Sequence, residues 1–286
     1  MVKKIIKRLL NYFLDIPSRQ RIIIALSKGG AMMNARNINL KKPESWEFSG
    51  FSQNGEDGIL DVLRKNLLTS NRYFIEIGSA DGIQNNSSWL AVTEQYNGLM
   101  IDGNPFLIER AKRNVMNYCI GVECLHMFVS SENIEDLKSL ALHSNPDVFS
   151  LDIDGVDYYI AKAIMDGGFR PKIFVVEYNS VFGPTRSMTI PNQDGFIFTK
   201  AHPTHLYYGV SVAGWKKFFS QYGYRFITVD QKGVNAFFVD PTCFDKNFLN
   251  NIDGKDFEEN MYQYKKFKGS YETQFPLIED REFTQI

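Results

Sequence analysis

The run Leu151-Asp152-Ile153-Asp154-Gly155-Val156-Asp157 crowds three carboxylates into one short stretch, and Glu177 and Asn179 follow at the end of the next apolar run. Converging carboxylates repel one another unless something positive offsets them. A hard divalent ion, Mg²⁺ or Mn²⁺, takes oxygen ligands and can also hold vicinal hydroxyls or a phosphate, so Asp154 and Glu177 are candidate metal ligands. The alternative is that Asp152 binds a cofactor or faces a helix N-terminus while Asp157 caps the helix that follows. His202 and His205 lie either side of Pro203 in a polar stretch that should overhang the same place. An imidazole titrates where it can take the proton of a reacting hydroxyl, and it can also ligate a metal. His202, His205 and Asp154 are therefore the expected catalytic groups, with His202 also a candidate third ligand. Tyr178, Asn179 and Arg186 are the candidate substrate contacts, Arg186 because a guanidinium fork matches phosphate.

A second constellation reads as a cofactor site. Phe74-Ile75-Glu76-Ile77-Gly78-Ser79-Ala80-Asp81-Gly82 is an apolar strand running into a glycine-bearing turn, and Gly78 and Gly82 allow a sharp turn and a close approach. Glu76 is placed to meet the cationic amine of a bound amino-acid moiety. About 20 residues on, Gly98-Leu99-Met100-Ile101-Asp102-Gly103-Asn104-Pro105 ends a strand in an acid, where nucleotide-binding α/β folds hydrogen-bond a ribose. Asp102, Asn104, Ser130 and Asp152 join Glu76, Gly78 and Gly82 as cofactor candidates. The dinucleotide fingerprint GxGxxG is absent, because Ala80 stands two residues after Gly78.

Ser52 to Asp57 (SQNGED), EIGSADG, IDGNP, DIDGVDY and VVEYNS together resemble the FkbM-like bacterial methyltransferases, over roughly residues 51–240. The resemblance implies an α/β, Rossmann-like class I methyltransferase fold: a seven-stranded, mostly parallel sheet with helices on both faces. It implies S-adenosylmethionine along the carboxyl ends of the strands with Asp102 on its ribose, and a Gln53–Asp57 segment that helps close the cofactor pocket. The implied activity is O-methylation of a sugar or phosphorylated precursor, nucleotide-activated or not, of a capsule or lipopolysaccharide.

The elements that must position these residues follow from apolar periodicity. Strands are expected at 72–77, 98–102, 122–129, 148–152 and 172–178, alternating with helices, and an antiparallel pair at 224–229 and 236–239. Residues 1–50 read as an N-terminal helical extension, with Gly29 and Gly30 stopping its second helix, 51–240 as the catalytic body and 241–286 as a peripheral tail. Lys3, Lys4, Lys7 and Arg8 face Ile5, Ile6, Leu9, Leu10 and Phe13 across a short basic amphipathic helix. Such a helix lies on an anionic membrane surface, or packs its stripe on the domain or on a second subunit in a homo-oligomer. It is expected to contribute no cofactor contact. His126 on a strand and His143 on a helix read as structural.

Composition narrows the classes. A net charge of −1 favours no polyanion, so no nucleic-acid partner is expected. Cys119, Cys124 and Cys243 lack a paired or CxxC pattern, which points to a reducing compartment and a cytoplasmic location. No apolar run reaches the ~18 residues of a membrane span. Two rivals stand beside the methyltransferase. A nicotinamide-dependent nucleotide-sugar oxidoreductase or epimerase would need a pyrophosphate turn and a Tyr-xxx-Lys pair, and a silent scaffold subunit would keep the cofactor fold without chemistry.

Overall fold

The computed structural model describes residues 2–116 and 118–286, with nothing of the side chains of residues 2–15. The amphipathic face expected over Lys3–Phe13 lies outside the described side chains. Helix α1 (Val2–Ala35) leads to α2 (Glu56–Lys65), β1 (Tyr73–Ile77), α3 (Ser88–Val92), β2 (Asn97–Asp102) and α4 (Pro105–Ala111). Then come β3 (Val122–His126), α5 (Ile134–Leu140), β4 (Val148–Leu151), α6 (Asp157–Asp166) and β5 (Ile173–Glu177). A short β6 (Met188–Thr189) and α7 (Phe198–Ala201) precede α8 (Val212–Gln221), β7 (Arg225–Val229) and β8 (Asn235–Val239). Helices α9 (Lys246–Asn250), α10 (Met261–Phe267) and α11 (Tyr271–Gln274) and strand β9 (Thr284–Gln285) complete the chain.

The main sheet has seven strands in the order β3-β2-β1-β4-β5-β8-β7. The first five pair in parallel, and β8 runs antiparallel to both β5 and β7. This is the Rossmann-like class I methyltransferase fold. Its order reverses between β1 and β4, which opens a crevice at their carboxyl ends. Strand periodicity divides the core. Ile75, Ile77, Ile101, Phe149 and Phe174 face α6 and α8, while Phe74, Met100, Val148 and Val175 face α2, α3 and α4. Central strands covered on both faces read as continuous apolar runs, which is why their positions follow from the sequence. Among the described residues no helix is long and apolar enough to cross a membrane.

Two local expectations and one alternative fail. Helix α1 runs through Gly29 and Gly30 to Ala35. Gly29 serves packing: a Cβ there would stand 2.4 Å from the Trp89 ring and 2.8 Å from the Cα of Gly50. His143 lies in a loop after α5, with its ring edge-on to Tyr73 at 5.4 Å. Asp157 begins α6 without capping it, and its carboxylate accepts from the N–H groups of Ile153 (3.0 Å) and Gly155 (2.8 Å) upstream.

The flanking segments pack on the body. Ile22 and Ala25 of α1 join Phe48, Phe51, Ile83 and Trp89 in one buried cluster, and Arg36 pairs with Asp61 of α2 at 2.9 Å. The segment expected as a peripheral tail buries Leu249 in the core, pairs β9 with β6 and accepts the Tyr178 hydroxyl on the Glu258 carbonyl at 2.6 Å.

Gly29 and Gly30 give a matched test. Nothing lies within 4 Å of a Cβ at Gly30. Gly30→Ala should therefore gain about 0.5–1 kcal/mol of stability from reduced chain freedom, whereas Gly29→Ala should lose about 1–3 kcal/mol from overpacking against Trp89. Urea denaturation of the two variants checks the contrast.

Candidate active site at the carboxyl edge of the sheet

The crevice at the β1–β4 reversal holds a cavity of 610 Å³. Gly78 and Ala80 after β1, Asp102 and Gly103 after β2, Ser130 after β3 and Asp152 after β4 line it. These are strand ends, brought together by parallel pairing alone. Asp102 ties two of them, since its Oδ2 accepts the Ala80 N–H at 2.9 Å and its Oδ1 accepts the Asn104 N–H at 2.8 Å. Ala80 holds φ +50, a left-handed conformation costly for alanine, and the Asp102 bond helps retain it. Gly78 (φ +88) is required by neighbouring backbone, because a Cβ there would fall 1.6 Å from the Asp152 carbonyl oxygen.

A second cavity of 300 Å³ adjoins the first, sharing Gln53, Gly78, Gln84, Asp152 and Asp154. Five carboxylates line it: Glu56, Glu76, Asp152, Asp154 and Glu177. Oxygens of Asp152, Asp154 and Glu177 lie within 4.8 Å of one another. No lysine or arginine pairs with these three among the described residues. Burial and then mutual repulsion raise Asp152 and Glu177 well above the ordinary carboxylate range, and burial raises Asp154. Asp154 sits at φ +51, strain that its neighbours must hold in place. Glu177 is fixed by the Tyr208 hydroxyl, which donates to it at 3.3 Å and accepts from Gln263 at 3.2 Å.

Several expected site residues are engaged in bonds within the protein. Glu76 accepts from the Asn86 N–H (2.8 Å), the Ser87 N–H (3.2 Å) and the Ser87 hydroxyl, so it shapes the loop that lines the smaller cavity. Burial pushes it up to about 7. Asp57 lines neither cavity; its Oδ2 accepts from Gly50 (2.7 Å) and Ser52 (2.9 Å), fixing the loop from which Gln53 reaches both cavities. Gly82 (φ +72) turns against Val115, and Asn104 caps α4. Asn179 donates to the carbonyls of Leu206 (2.7 Å) and Tyr208 (3.0 Å). Arg186 donates to the Phe182 carbonyl and lies 4.1 Å over the Phe275 ring. Tyr178 is fully buried on Glu258.

The structure does not bring the histidines to the acids. His202 follows α7 with Nδ1 on the Thr204 hydroxyl at 2.7 Å, His205 packs edge-on to Phe198, and neither lines either cavity. From their polar loop it is Asn192–Phe196 that covers the larger cavity. Among nearby aromatic residues Tyr208 reaches the acids, whereas Tyr158 and Tyr159 meet edge to face and Phe182 is buried. The unforeseen lining comes from Gln84, Asn85, Asn86, Asn235, Asn260 and Tyr262. The amide run 84–86 was a visible signal, but Asn260 and Tyr262 arrive from the C-terminal segment by long-range packing.

No family model matches the chain, and no curated protein matches it. Solved structures do. The O-methyltransferase TomG from Streptomyces achromogenes, involved in tomaymycin synthesis and crystallised with S-adenosylmethionine, is 18% identical, with 75% of this chain and 87% of that chain covered and a TM-score of 0.43. An O-methyltransferase from Bacillus cereus with S-adenosylhomocysteine is 13% identical over 80% and 95%, with a TM-score of 0.42. A methyltransferase from Thiobacillus denitrificans, also with S-adenosylhomocysteine, is 16% identical over 68% and 70%, with a TM-score of 0.35. The strand order, and not these distant likenesses, establishes the fold.

The buried acids predict a pH dependence. Burial lifts Asp57 from 3.8 to about 7, and its Oδ1 is buried without a partner. A raised folded-state value means that the folded form holds the proton more tightly than the unfolded chain. Its stabilising contribution is complete below about pH 4 and is lost as the pH rises through about 7. The ligand-free protein should therefore be more stable at pH 6 than at pH 8, and Asp57→Asn should remove about 1.4 kcal/mol of that difference. Urea titrations of wild type and variant at the two pH values measure it.

Proposed function

We propose that this chain is an S-adenosylmethionine-dependent O-methyltransferase in which Asp152, Asp154 and Glu177 hold a divalent cation, Mn²⁺ or Mg²⁺, beside the methyl acceptor. The observation that carries the reading is the junction of the two cavities. A cavity at the β1–β4 reversal, with Asp102 at its β2 end, opens directly onto three carboxylates that no cation among the described residues offsets. The residues fit a hard ion, being all-oxygen, close together and raised by burial and mutual repulsion.

Gly78, Ala80, Asp102 and Ser130 line the volume for the methyl donor, whose sulfonium supplies an activated methyl group. A divalent ion on the three carboxylates supplies Lewis acidity toward an acceptor hydroxyl. A carboxylate oxygen of Asp154 or Glu177 left off the ion takes the hydroxyl proton. Tyr208 orients Glu177. Asn192–Phe196 shields the larger cavity from water, and alignment of donor and acceptor supplies the main part of the rate. The amide-rich lining of the smaller cavity, from Gln53, Gln84, Asn85, Asn86, Asn235 and Asn260, suits a polyhydroxylated acceptor. Together with the FkbM-like resemblance it supports a sugar or phosphorylated precursor of a bacterial surface polysaccharide.

Incubation with S-adenosylmethionine and a library of activated sugars, with and without Mn²⁺, should give a mass gain of one methylene that depends on the metal. A chelator should abolish turnover and Mn²⁺ restore it. Calorimetry should show that Asp154→Asn weakens Mn²⁺ binding at least about tenfold while S-adenosylhomocysteine binds as in wild type. Full activity in demonstrably metal-free protein would remove the ion from the mechanism.

Asp102→Ala should weaken S-adenosylhomocysteine at least about tenfold, since charge-assisted hydrogen bonds contribute roughly 1.5–3 kcal/mol. Unchanged affinity in the folded variant would displace the cofactor from this crevice.

A further inference from the structure

A third cavity of 330 Å³ lies on the far side of Gln53, Gln84 and Tyr262, which it shares with the acidic cavity. Its electrostatic character is the reverse. Arg21 and Lys28, seven residues apart and so on one face of α1, both line it, and no aspartate or glutamate does among the described residues. The acidic cavity has five carboxylates and, among the described residues, no lysine or arginine. Arg21 spends one nitrogen on Asp81 at 2.7 Å, and its guanidinium carries further donors. Lys28 is exposed and forms no ion pair among the described residues. Ser52 also lines the cavity, and Tyr262, a residue 57% exposed, stands at the boundary.

We infer that this basic cavity is a phosphate subsite for the methyl acceptor. The acceptor's hydroxyl-bearing end lies among the carboxylates, its ring rests near Tyr262 and its phosphate ester meets Lys28 and Arg21. This rests on the reading that the acceptor occupies the acidic cavity. An uncharged sugar would leave the cations unused, and an anion placed the other way round would face five carboxylates that one divalent ion offsets only in part. The opposed charges thus fix the acceptor's direction as well as its class. Arg186, held on Phe275, has no part in it.

The test is calorimetric titration of the full-length protein with inorganic pyrophosphate. Metal-stripped buffer keeps the anion from chelated metal, and saturating S-adenosylhomocysteine keeps it out of the larger cavity. Wild type should bind, and Lys28→Glu should bind at least about tenfold more weakly, with Lys28→Arg close to wild type. Lys28 is exposed on its helix, so the substitutions leave the fold intact, which circular dichroism verifies. Glucose 1-phosphate and phosphatidylcholine vesicles containing phosphatidylinositol then tell a soluble phosphate ester from a lipid-borne one, and a Lys28→Glu-sensitive response to either agrees with the subsite. Absence of pyrophosphate binding to wild type, or equal affinity in wild type and Lys28→Glu, overturns it. Because the readout is anion binding, a protein that bound pyrophosphate through Lys28 but not S-adenosylhomocysteine would keep the subsite and lose the methyltransferase reading.

Discussion

Five carboxylates face one small cavity with no cation of the described residues among them, and the chemistry of this edge of the sheet follows from that repulsion. Packing brings Asp152, Asp154 and Glu177 together because β4 and β5 are parallel neighbours, so their ends coincide whatever the charges prefer. Burial, joined at Asp152 and Glu177 by mutual repulsion, then raises the proton affinity of these three acids. The fold tolerates the arrangement because apolar burial on both faces of the sheet outweighs it, and a bound cation would convert the cost into affinity.

Around this cluster the backbone is held, not relaxed. Asp154 and Ala80 both occupy left-handed conformations that ordinary side chains avoid, and each borders a cavity. Ala80 is retained by Asp102, and the turn containing it is gripped from outside by Asp81, which bridges Arg21 of α1 and Arg110 of α4. Glu177 depends on Tyr208 and Gln263, so the C-terminal segment helps set one acid of the cluster. The site is a strand-end construction stiffened by its two flanking segments.

The central strands and the acids at their ends were legible in the sequence, for one physical reason. A parallel strand buried on both faces must be apolar along its length, and the first polar residues after it must lie at the crevice. Asp102, Asp152, Asp154 and Glu177 are all found this way. Gly29 and Gly30 were misleading because a helix stop and a close helix contact both demand a missing side chain, and only the position of Trp89 tells them apart. The loop after β5 announces itself by composition, yet composition does not say that His202 would bond its own neighbour Thr204 while Asn192–Phe196 covers the cavity. Asn260 and Tyr262 carry no local signal, since they reach the site only through the docking of residues 241–286.

The contact between α1 and the body bears on where a working fragment of this protein can begin. Gly29 and Gly50 approach so closely that the Trp89 ring is wedged against both, with Phe48, Phe51 and Ile83 around it. A protein produced from residue 51 onward would match the span that resembles a catalytic domain and would still lack the helix that covers Trp89. It would display an aromatic surface to solvent beside the Asp81 turn, and its failure to stay in solution would reflect the missing cover and not a defect in the catalytic fold.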